Sequence, residues 1–246
     1  YGAYRLLRTR VQKISKDEKF LNYIICPSGE WSEKMKREGI TVINVNLSNS
    51  LTPTQILKEI KELKKIFIDF QIDVVHTHTS KPGATGRIAA KKAKIHLIIH
   101  QVHGFHFTKY TGIKKWIFEK IESFLARYSD IMLFQNTEEY QYCINNRYNR
   151  YTKLIYIGNG IPFEEFEDYL SKEKKYNPGK KRIACIARLE DVKNHKMLFL
   201  AIEYLVKDIN YKNFELNLYG EGNEENKLRK MAENLNINKY INFVGS

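Results

Sequence analysis

The sequence contains few of the features that mark membrane-spanning or secreted proteins. No apolar run approaches the roughly 18 residues that a membrane span requires, and no signal peptide stands at the start. The three cysteines, Cys26, Cys143 and Cys185, are widely separated, which fits neither a disulfide framework nor a cysteine metal cluster. We expect three reduced thiols in a cytoplasmic protein. The chain begins at Tyr1 rather than at Met, which indicates a fragment.

Length and composition predict a globular protein with two domains. Hydrophobic residues make up 43% of the 246 residues and charged residues 28%, as in ordinary globular proteins. Short apolar runs alternate with amphipathic stretches, which predicts an α/β fold whose parallel sheets are covered on both faces by helices. We predict strands at 21–26, 41–46, 73–77, 96–102, 130–135, 153–157, 182–187, 214–219 and 240–244, and helices at 3–15, 30–38, 53–70, 84–94, 112–128, 137–146, 194–208 and 223–235.

Two further signals in the sequence mark a helix start and the boundary between the two domains. The residues from Thr52 to Gln55 have the pattern of a capping box with Pro53 at the first helical position, so we expect a firm helix start there. The composition changes between Glu164 and Lys181, a stretch rich in Glu, Lys and Tyr. We therefore place a first domain at 1–165 and a second at 180–246. Because the second domain has only three strands, an open sheet edge would remain, and we expect this domain to be truncated.

The positive charge is concentrated in the first part of the chain. The whole chain has 41 Lys and Arg against 28 Asp and Glu, a net charge of +13. Residues 1–150 carry 25 basic and 14 acidic groups, hence +11, and the remaining residues carry 16 and 14, hence +2. Such asymmetry favours an anionic partner for the first part, either nucleic acid or an acidic membrane surface. An organism with generally Lys-rich proteins is the alternative explanation.

Polar residues follow the strand predicted at 73–77. In an open parallel sheet, ligands bind outside the carboxyl ends of the strands, so we expect His76, His78, Ser80 and Gly83 to line a cleft. A helix that starts after Gly83 could present free N–H groups to an anion. The two histidines could ligate a metal, but no third ligand stands in a recognisable frame. Polar lining of the cleft is therefore the preferred interpretation.

A second polar segment follows the strand predicted at 96–102 and should reach the same edge of the sheet. It contains His103 and Gly104, and the glycine permits a close backbone approach or a positive φ. Five histidines would then gather at two strand ends, which favours a site over a set of structural histidines. They are His76, His78, His100, His103 and His106. Among them, His103 is the strongest candidate.

Two strand-to-loop junctions in the second domain suit an anionic ligand. Arg188 lies just past the strand predicted at 182–187, and Lys193 lies just before the following helix. A guanidinium fork and a compact ammonium five residues apart match the oxygens of a diphosphate. The strand predicted at 214–219 is likewise followed by a glycine turn, at Gly220 and Gly222.

At these residues the sequence resembles the retaining glycosyltransferases of family 4, whose GT-B architecture has two Rossmann-like domains. The resemblance extends over nearly the whole chain, and its first two segments match a subgroup that builds bacterial surface polysaccharides. The matching segments are His76–Gly83 with Gly86-Arg87, Val102–Phe105, Asn159–Ile161, Ala187–Leu189 with Lys193-Asn194, Gly220–Gly222 and Phe243–Gly245.

The resemblance implies a reaction and a set of substrates. A hexosyl or N-acetylhexosaminyl group would move, with retained anomeric configuration, from a nucleotide-diphosphate sugar to a saccharide acceptor. The implied acceptor is a polyprenyl-diphosphate-linked saccharide in the biosynthesis of capsule or another cell-surface polysaccharide. The implied donor is a UDP-sugar. The resemblance implies no metal and no other cofactor.

The resemblance also implies roles for particular residues. Arg188 and Lys193 match the family's cations that hold the donor diphosphate and stabilise the leaving group, where fixed charges act mainly on the transition state. Gly220 belongs to the same diphosphate-binding loops. His103 matches the family's catalytic-site histidine beside the donor sugar. Asn159, in the segment that leads to the interdomain crossing, and Gly104 are expected to line the cleft.

The chain departs from the family pattern at three places. The family's first strand and most of its glycine-rich loop would precede Tyr1, and its paired-glutamate segment, which binds the donor, would follow Ser246. Ala187 stands where the family usually has Gly. We therefore expect the 246-residue chain on its own to be inactive or nearly so.

The implied acceptor gives the basic first domain an interpretation. A lipid-diphosphate acceptor lies at the cytoplasmic membrane face, so we expect a cytoplasmic protein bound peripherally to the inner face of the plasma membrane through anionic lipids. The segment 107–118 mixes cations with aromatic residues and is the candidate interfacial element. In the alternative, the following helix merely packs onto the sheet through its apolar residues, which are Trp116, Ile117, Ile121, Phe124 and Leu125.

Three other functions were weighed against sugar transfer. A GT-B nucleotide-sugar 2-epimerase would share the fold and the donor but transfer nothing, and the Arg188/Lys193 loop favours the transferase. A basic nucleic-acid-binding module fits the net charge and the 16 tyrosines. The chain nevertheless has no recognition-helix, aromatic RNA-binding or zinc motif, so we expect no nucleic-acid partner. A non-catalytic remnant that binds another protein is the third alternative.

Overall fold

A computed structural model describes residues 2–15, 17–48, 50–105, 107, 110–158, 160, 167 and 179–246. The chain forms two compact units, Tyr1–Ile161 and Pro162–Ser246. Both units alternate strands with helices, and every strand pair in the described ranges is parallel. The predicted α/β class with parallel sheets is confirmed.

The strands of the first unit form two sheets. A two-stranded sheet has the order β1-β2, and a four-stranded sheet has the order β3-β4-β5-β6. Because β3 and β4 are neighbours, their carboxyl ends lie side by side, as the sequence pattern requires for a shared site. The elements in chain order are α1 (Gly2–Ile14), β1 (Tyr23–Cys26), α2 (Glu30–Arg37), β2 (Thr41–Asn44), α3 (Pro53–Asp69), β3 (Val74–His78), α4 (Ser80–Lys92), β4 (Leu97–Val102), α5 (Gly112–Ala126), β5 (Ile131–Phe134), α6 (Thr137–Asn145) and β6 (Lys153–Tyr156).

Helix α3 shows how apolar spacing builds the core of the first unit. Ile60, Leu63 and Phe67 recur at three- and four-residue steps, and all three are buried with residues of β3, α4 and β4. Pro53 lies in the first turn of the helix, as predicted. The predicted capping box is wrong, because the side chain of Thr52 makes no cap hydrogen bond. Its hydroxyl instead lies 3.1 Å from the hydroxyl of Ser50.

The second unit has one three-stranded sheet with the order β7-β8-β9. Its elements are β7 (Lys181–Ile186), α7 (His195–Lys207), β8 (Phe214–Tyr219), α8 (Glu225–Asn234) and β9 (Ile241–Gly245). The inward side chains of β8 are fully buried beneath α7, where Leu216 and Leu218 pack in one cluster with Phe199. The core of this unit therefore lies between the sheet and its two helices.

Strand β7 differs from its prediction as a buried strand. Its side chains are exposed or half-buried, and Ile186 is 83% exposed. The apolar composition of the segment predicted burial, but among the described residues β7 lies at the edge of the sheet and pairs with β8 alone. Burial of its second face would need a covering element, and the described ranges supply none.

Candidate functional site

Three of the predicted histidines meet at the carboxyl end of β3. Because side chains alternate along a strand, His76 and His78 share one face of the sheet, and their ring centroids lie 4.3 Å apart. His103, just past the end of β4, brings its Nε2 within 3.0 Å of His78 Nδ1. We call these three side chains the histidine cluster. Strand β3 extends to His78, so both β3 histidines belong to the strand itself.

His100 lies apart from the histidine cluster, on the opposite face of the sheet. It pairs with Thr77 across the ladder, and His100 Nδ1 lies 2.9 Å from Thr77 Oγ1. The residue is only 3% exposed. The expectation that five histidines gather is therefore wrong for His100, which has a structural role because its strand position faces inward. His106 lies outside the described residues.

Gly83 also serves packing rather than a helix start. Helix α4 begins at Ser80, so the prediction of a start after Gly83 is wrong. Gly83 lies in the first turn and is buried against His100, whose ring would be 2.6 Å from an added Cβ. Ser80 itself is exposed at the end of β3. Between strand and helix, Thr79 has φ 64 and ψ 174, a strained conformation for a residue with a Cβ.

A buried ion pair fixes the first turn of α4. Lys81 Nζ lies 2.7 Å from Glu59 Oε1 on α3, and the Glu59 side chain is 1% exposed. The same oxygen accepts hydrogen bonds from the backbone N–H of Ser48 and from the side chain of Gln55, both at 3.1 Å. Such full pairing is what a buried charge requires. The ion pair therefore anchors the start of α4 and with it the segment that carries His78 and Ser80.

Two residues that sequence reasoning missed lie beside the histidine cluster. Gln101 on β4 pairs with His78 across the ladder and is fully buried. Its Oε1 accepts a hydrogen bond from Arg10 Nη1 of α1, while its Nε2 has no partner among the residues that the structure describes. Arg10 brings a positive charge to the cluster. No local pattern could have found this contact, because α1 and β4 are distant in sequence.

The pKa of each histidine in the cluster is lowered, which favours the neutral imidazole. Burial lowers the pKa of His78 to about 2, with further lowering from the nearby His76, His103 and Arg10. Burial, followed by the charge of Arg10, lowers the pKa of His76, one side of which is open to solvent. Burial also lowers the pKa of His103, and a hydrogen bond with Gln135 partly opposes this. Neutral imidazoles each donate and accept one hydrogen bond, so the cluster suits hydroxyl groups of a sugar.

Glu139 on α6 fixes the loop that carries His103. Its Oε1 accepts a hydrogen bond of 2.7 Å from the backbone N–H of Phe105. Gly104 has φ 114, and an added Cβ there would lie 3.7 Å from the same oxygen. Burial raises the pKa of Glu139. The sequence contains one local signal for this region, the N-cap of α6. Asn136 is a common N-cap residue, and its side chain accepts the N–H of Glu139 at 2.8 Å.

In the second unit, the two predicted cations lie on the loop between β7 and α7. Arg188 follows the strand, and its side chain is 61% exposed. Lys193 ends a 3₁₀ turn, Asp191–Lys193, and is exposed. Arg188 Nη1 contacts the carboxylate of Glu190, a residue that sequence reasoning missed. Both cations are accessible to an anion at the carboxyl end of a parallel strand, where ligands of such sheets bind.

Gly220 and Gly222 hold this loop against the loop after β8. An added Cβ on Gly220 would lie 2.2 Å from the carbonyl oxygen of Ala187, and one on Gly222 would lie 2.2 Å from that of Leu189. The N–H of Ala187 donates a 3.0 Å hydrogen bond to the carbonyl of Tyr219 at the end of β8, and the N–H of Leu189 donates one of 3.0 Å to the carbonyl of Glu221 in the following loop. Arg188 therefore projects from a backbone that is anchored on both sides.

The remaining predictions concern Asn159, a metal and the membrane. Asn159 lies outside the described residues. Within the described ranges, no three His, Cys, Asp or Glu side chains are grouped so that they could hold a metal ion. None of the helices in those ranges is long and apolar enough to cross a membrane.

Comparison with protein families identifies both units. Residues 10–136, just over half of the chain, match the family model described as glycosyl transferase 4-like. The chain belongs to this glycosyltransferase family. Residues 167–246 match the model described as glycosyl transferases group 1. The family 4 resemblance inferred from the motifs is thereby confirmed.

Two curated relatives of this glycosyltransferase have named activities. The UDP-Gal:alpha-D-GlcNAc-diphosphoundecaprenol alpha-1,3-galactosyltransferase of Escherichia coli is 25% identical over 253 residues, covering 99% of this chain and 65% of the relative. The N,N'-diacetylbacillosaminyl-diphospho-undecaprenol alpha-1,3-N-acetylgalactosaminyltransferase of Campylobacter jejuni is 25% identical over 175 residues, covering 68% and 46%. The chain thus spans between about half and two thirds of the length of these relatives.

Solved structures with low sequence identity share the fold of this chain. A glycosyltransferase from Rickettsia africae has a TM-score of 0.72 at 20% identity, covering 100% of this chain and 65% of the other. HepE of Anabaena, in complex with UDP and glucose, has a TM-score of 0.61 at 15% identity, covering 91% and 61%. At such low identity the likeness concerns the fold alone. It confirms the predicted GT-B class.

Proposed function

We propose that this glycosyltransferase moves a hexosyl or N-acetylhexosaminyl group, with retention, from a UDP-sugar to a saccharide on a polyprenyl diphosphate. The observation that carries the proposal is the anchored loop after β7, which presents the two cations Arg188 and Lys193. The names of both curated relatives specify acceptors linked to diphosphoundecaprenol, and one names a UDP-sugar donor. A structural neighbour was solved with UDP.

In this proposal the second domain, which we place at 180–246, binds the donor. Cleavage of the sugar–phosphate bond places negative charge on the departing diphosphate, and fixed cations stabilise that charge more in the transition state than in the ground state. Arg188 supplies a fork of donors and Lys193 a compact charge. Glu190 contacts Arg188, so a bound diphosphate would replace one anionic partner of the guanidinium by another. Gly220 keeps the supporting loops in contact.

We assign the acceptor side to the first domain, placed at 1–165, which also carries the proposed contact to the donor sugar. His103 is the proposed contact to that sugar, and as a neutral imidazole it donates one hydrogen bond and accepts another. His76, His78, Ser80 and Gly104 lie around it at the ends of β3 and β4. The acceptor is lipid-linked, so we propose that the protein works in the cytoplasm, peripherally on the inner face of the plasma membrane.

A ligand screen by thermal unfolding tests this proposal. We expect UDP at 100 times its Kd to stabilise the chain by about 2.7 kcal/mol relative to the chain without ligand. The same concentration of GDP, ADP or inorganic diphosphate should stabilise it less. Binding is the readout because we expect the 246 residues alone to have little or no turnover. No stabilisation by any nucleotide, together with a salt-dependent gel shift with nucleic acid, would favour the basic nucleic-acid-binding module instead. Epimerisation of a UDP-sugar without acceptor would favour the 2-epimerase.

A further inference from the structure

The charge of Arg10 at the histidine cluster is not balanced by an acid. Arg10 lies half-buried on α1, and its positive charge lowers the pKa of His76, His78 and His103. Its guanidinium donates to the neutral carboxamide of Gln101. Among the described residues, no carboxylate contributes to the pKa of Arg10 or of the three histidines. Because buried charges are ordinarily paired, this arrangement favours an anionic ligand.

Gln101 gives a second and independent indication of a ligand. Its side chain is fully buried, and it lies on the same face of the sheet as His78, its partner across the ladder. Arg10 occupies its Oε1, whereas its Nε2 has no partner among the residues that the structure describes. A buried amide with unpaired N–H groups costs free energy unless a partner accepts them. The partner that completes this site must therefore be a hydrogen-bond acceptor.

The groups at this site donate more hydrogen bonds than they can accept. A guanidinium has five N–H donors and no acceptor, and each neutral imidazole adds one N–H. The contact between His78 Nδ1 and His103 Nε2 uses one of these imidazole donors. The site is open to solvent, because His76 is exposed and His103 is half-buried. An excess of donors around one positive charge suits the oxygens of a phosphate group.

We propose that Arg10, Gln101 and the histidine cluster bind the diphosphate group of the lipid-linked acceptor. This inference rests on the proposed function, which supplies an acceptor that carries a diphosphate, and it assigns that group to particular residues. These residues are different from Arg188 and Lys193, which we assign to the diphosphate of the donor.

The position of His103 agrees with this assignment. The names of both curated relatives specify acceptors in which one sugar is attached directly to the diphosphate. In such an acceptor, a single sugar ring separates the attacking hydroxyl from the diphosphate. His103, the proposed contact to the donor sugar, follows Gln101 by two residues at the end of β4. A phosphate site beside His103 therefore suits an acceptor with one sugar.

Calorimetric titration of geranyl diphosphate tests the site, because this soluble probe carries a prenyl diphosphate and no nucleotide. We expect Arg10→Gln to bind it about 10- to 150-fold more weakly than the wild type. Arg10→Lys keeps the charge without the guanidinium fork and should bind with intermediate affinity. Arg8→Gln is the matched control, since Arg8 lies on the same helix and its charge is paired with Glu38. The control should bind like the wild type.

Titration of UDP separates this site from the donor site. Arg10→Gln should bind UDP like the wild type, which would also show that the variant is folded. Arg188→Ala should bind geranyl diphosphate like the wild type. Binding of geranyl diphosphate through Arg10 without any binding of UDP would support the phosphate site and count against the proposed donor site. Binding of UDP without any binding of geranyl diphosphate would overturn the phosphate site and leave the donor site in place.

NMR of the imidazole nitrogens locates the bound probe. We expect geranyl diphosphate to shift the signals of His76, His78 and His103 in the wild type and to leave them unchanged in Arg10→Gln. The proposal is overturned by equal affinity of Arg10→Gln and the wild type, or by a bound probe that leaves these signals in place. Binding of inorganic diphosphate but not of geranyl diphosphate would show that the site admits only a free anion, and would overturn the assignment to the acceptor.

Discussion

Acidification from pH 7.5 to pH 5 is expected to lower the free energy of unfolding of the first unit by about 4 kcal/mol. Two buried histidines, His78 and His100, account for this figure, and the lowered pKa values of His76 and His103 act in the same direction. Burial lowers the pKa of His78 to about 2, with smaller effects from nearby histidines and Arg10. Burial also lowers the pKa of His100 well below its ordinary value. In the unfolded chain, histidine titrates near pH 6.5.

The sign follows from where the protons bind. Below about pH 6.5 the histidines of the unfolded chain bind protons, whereas the buried imidazoles of the folded chain do not. Falling pH therefore favours unfolding. Each of the two histidines lowers stability by about 1.4 kcal/mol per pH unit, or about 2 kcal/mol at pH 5. The stability is therefore fully present above pH 6.5 and is lost on acidification. Burial raises the pKa of Glu139, so this one carboxyl group increases the free energy of unfolding as the pH falls and opposes the effect of the histidines.

Urea unfolding followed by tryptophan fluorescence measures this effect, since both tryptophans belong to the first unit. His78→Gln should show a smaller pH dependence than the wild type, because it loses the contribution of His78 and retains those of His76, His100 and His103. A wild-type free energy of unfolding that is the same at pH 7.5 and pH 5 would show that these imidazoles are not buried in neutral form. So would full wild-type pH dependence in His78→Gln.

The second large effect is expected in the second unit, where Gly222→Ala should lower the free energy of unfolding by about 2–4 kcal/mol. The added Cβ would lie 2.2, 2.6 and 2.9 Å from three backbone atoms of Leu189, which cannot rotate away. Overpacking alone costs about 1–3 kcal/mol. The carbonyl that must move also accepts a 3.0 Å hydrogen bond from the N–H of Glu224, and such a bond contributes about 1 kcal/mol.

Circular dichroism is needed to follow the unfolding of the second unit, because this unit has no tryptophan and fluorescence reports only on the first unit. The dichroism transition should move while the fluorescence transition of the first unit stays in place. Gly160→Ala is the control, since nothing lies within 4 Å of its added Cβ, and it should change stability by less than about 0.5 kcal/mol. If Gly222→Ala unfolds like the wild type, the close approach of the two loops that support Arg188 is refuted.

The order of strands and helices was predictable because each element has a local signature. The start of α4 shows the limit of such signatures. Pro82 and Gly83 precede the helix predicted at 84–94, yet both lie in the first turn of α4. Proline is tolerated there because the missing N–H would have no helical partner, and glycine is required there by the ring of His100.

The candidate site was predictable only where its residues follow a strand end. His76, His78 and His103 meet that condition. Separating His100 from them required the pairing register of β3 with β4, which places Thr77 rather than His78 opposite His100, and a shift of one residue would reverse the faces. Arg10, Gln101 and Glu139 act through contacts between distant segments, and such contacts leave no local pattern in the sequence.

The central claim is that the loops after β7 and β8 bind the donor diphosphate. Calorimetric titration of UDP into the wild type and Arg188→Ala tests it most directly. Arg182→Ala is the matched control, an exposed arginine near the start of β7, away from the loop. We expect the wild type and Arg182→Ala to bind UDP alike. Arg188→Ala should bind about 10- to 150-fold more weakly, because a charge-assisted hydrogen bond contributes about 1.5–3 kcal/mol. Equal UDP affinity of Arg188→Ala and the wild type would contradict the claim.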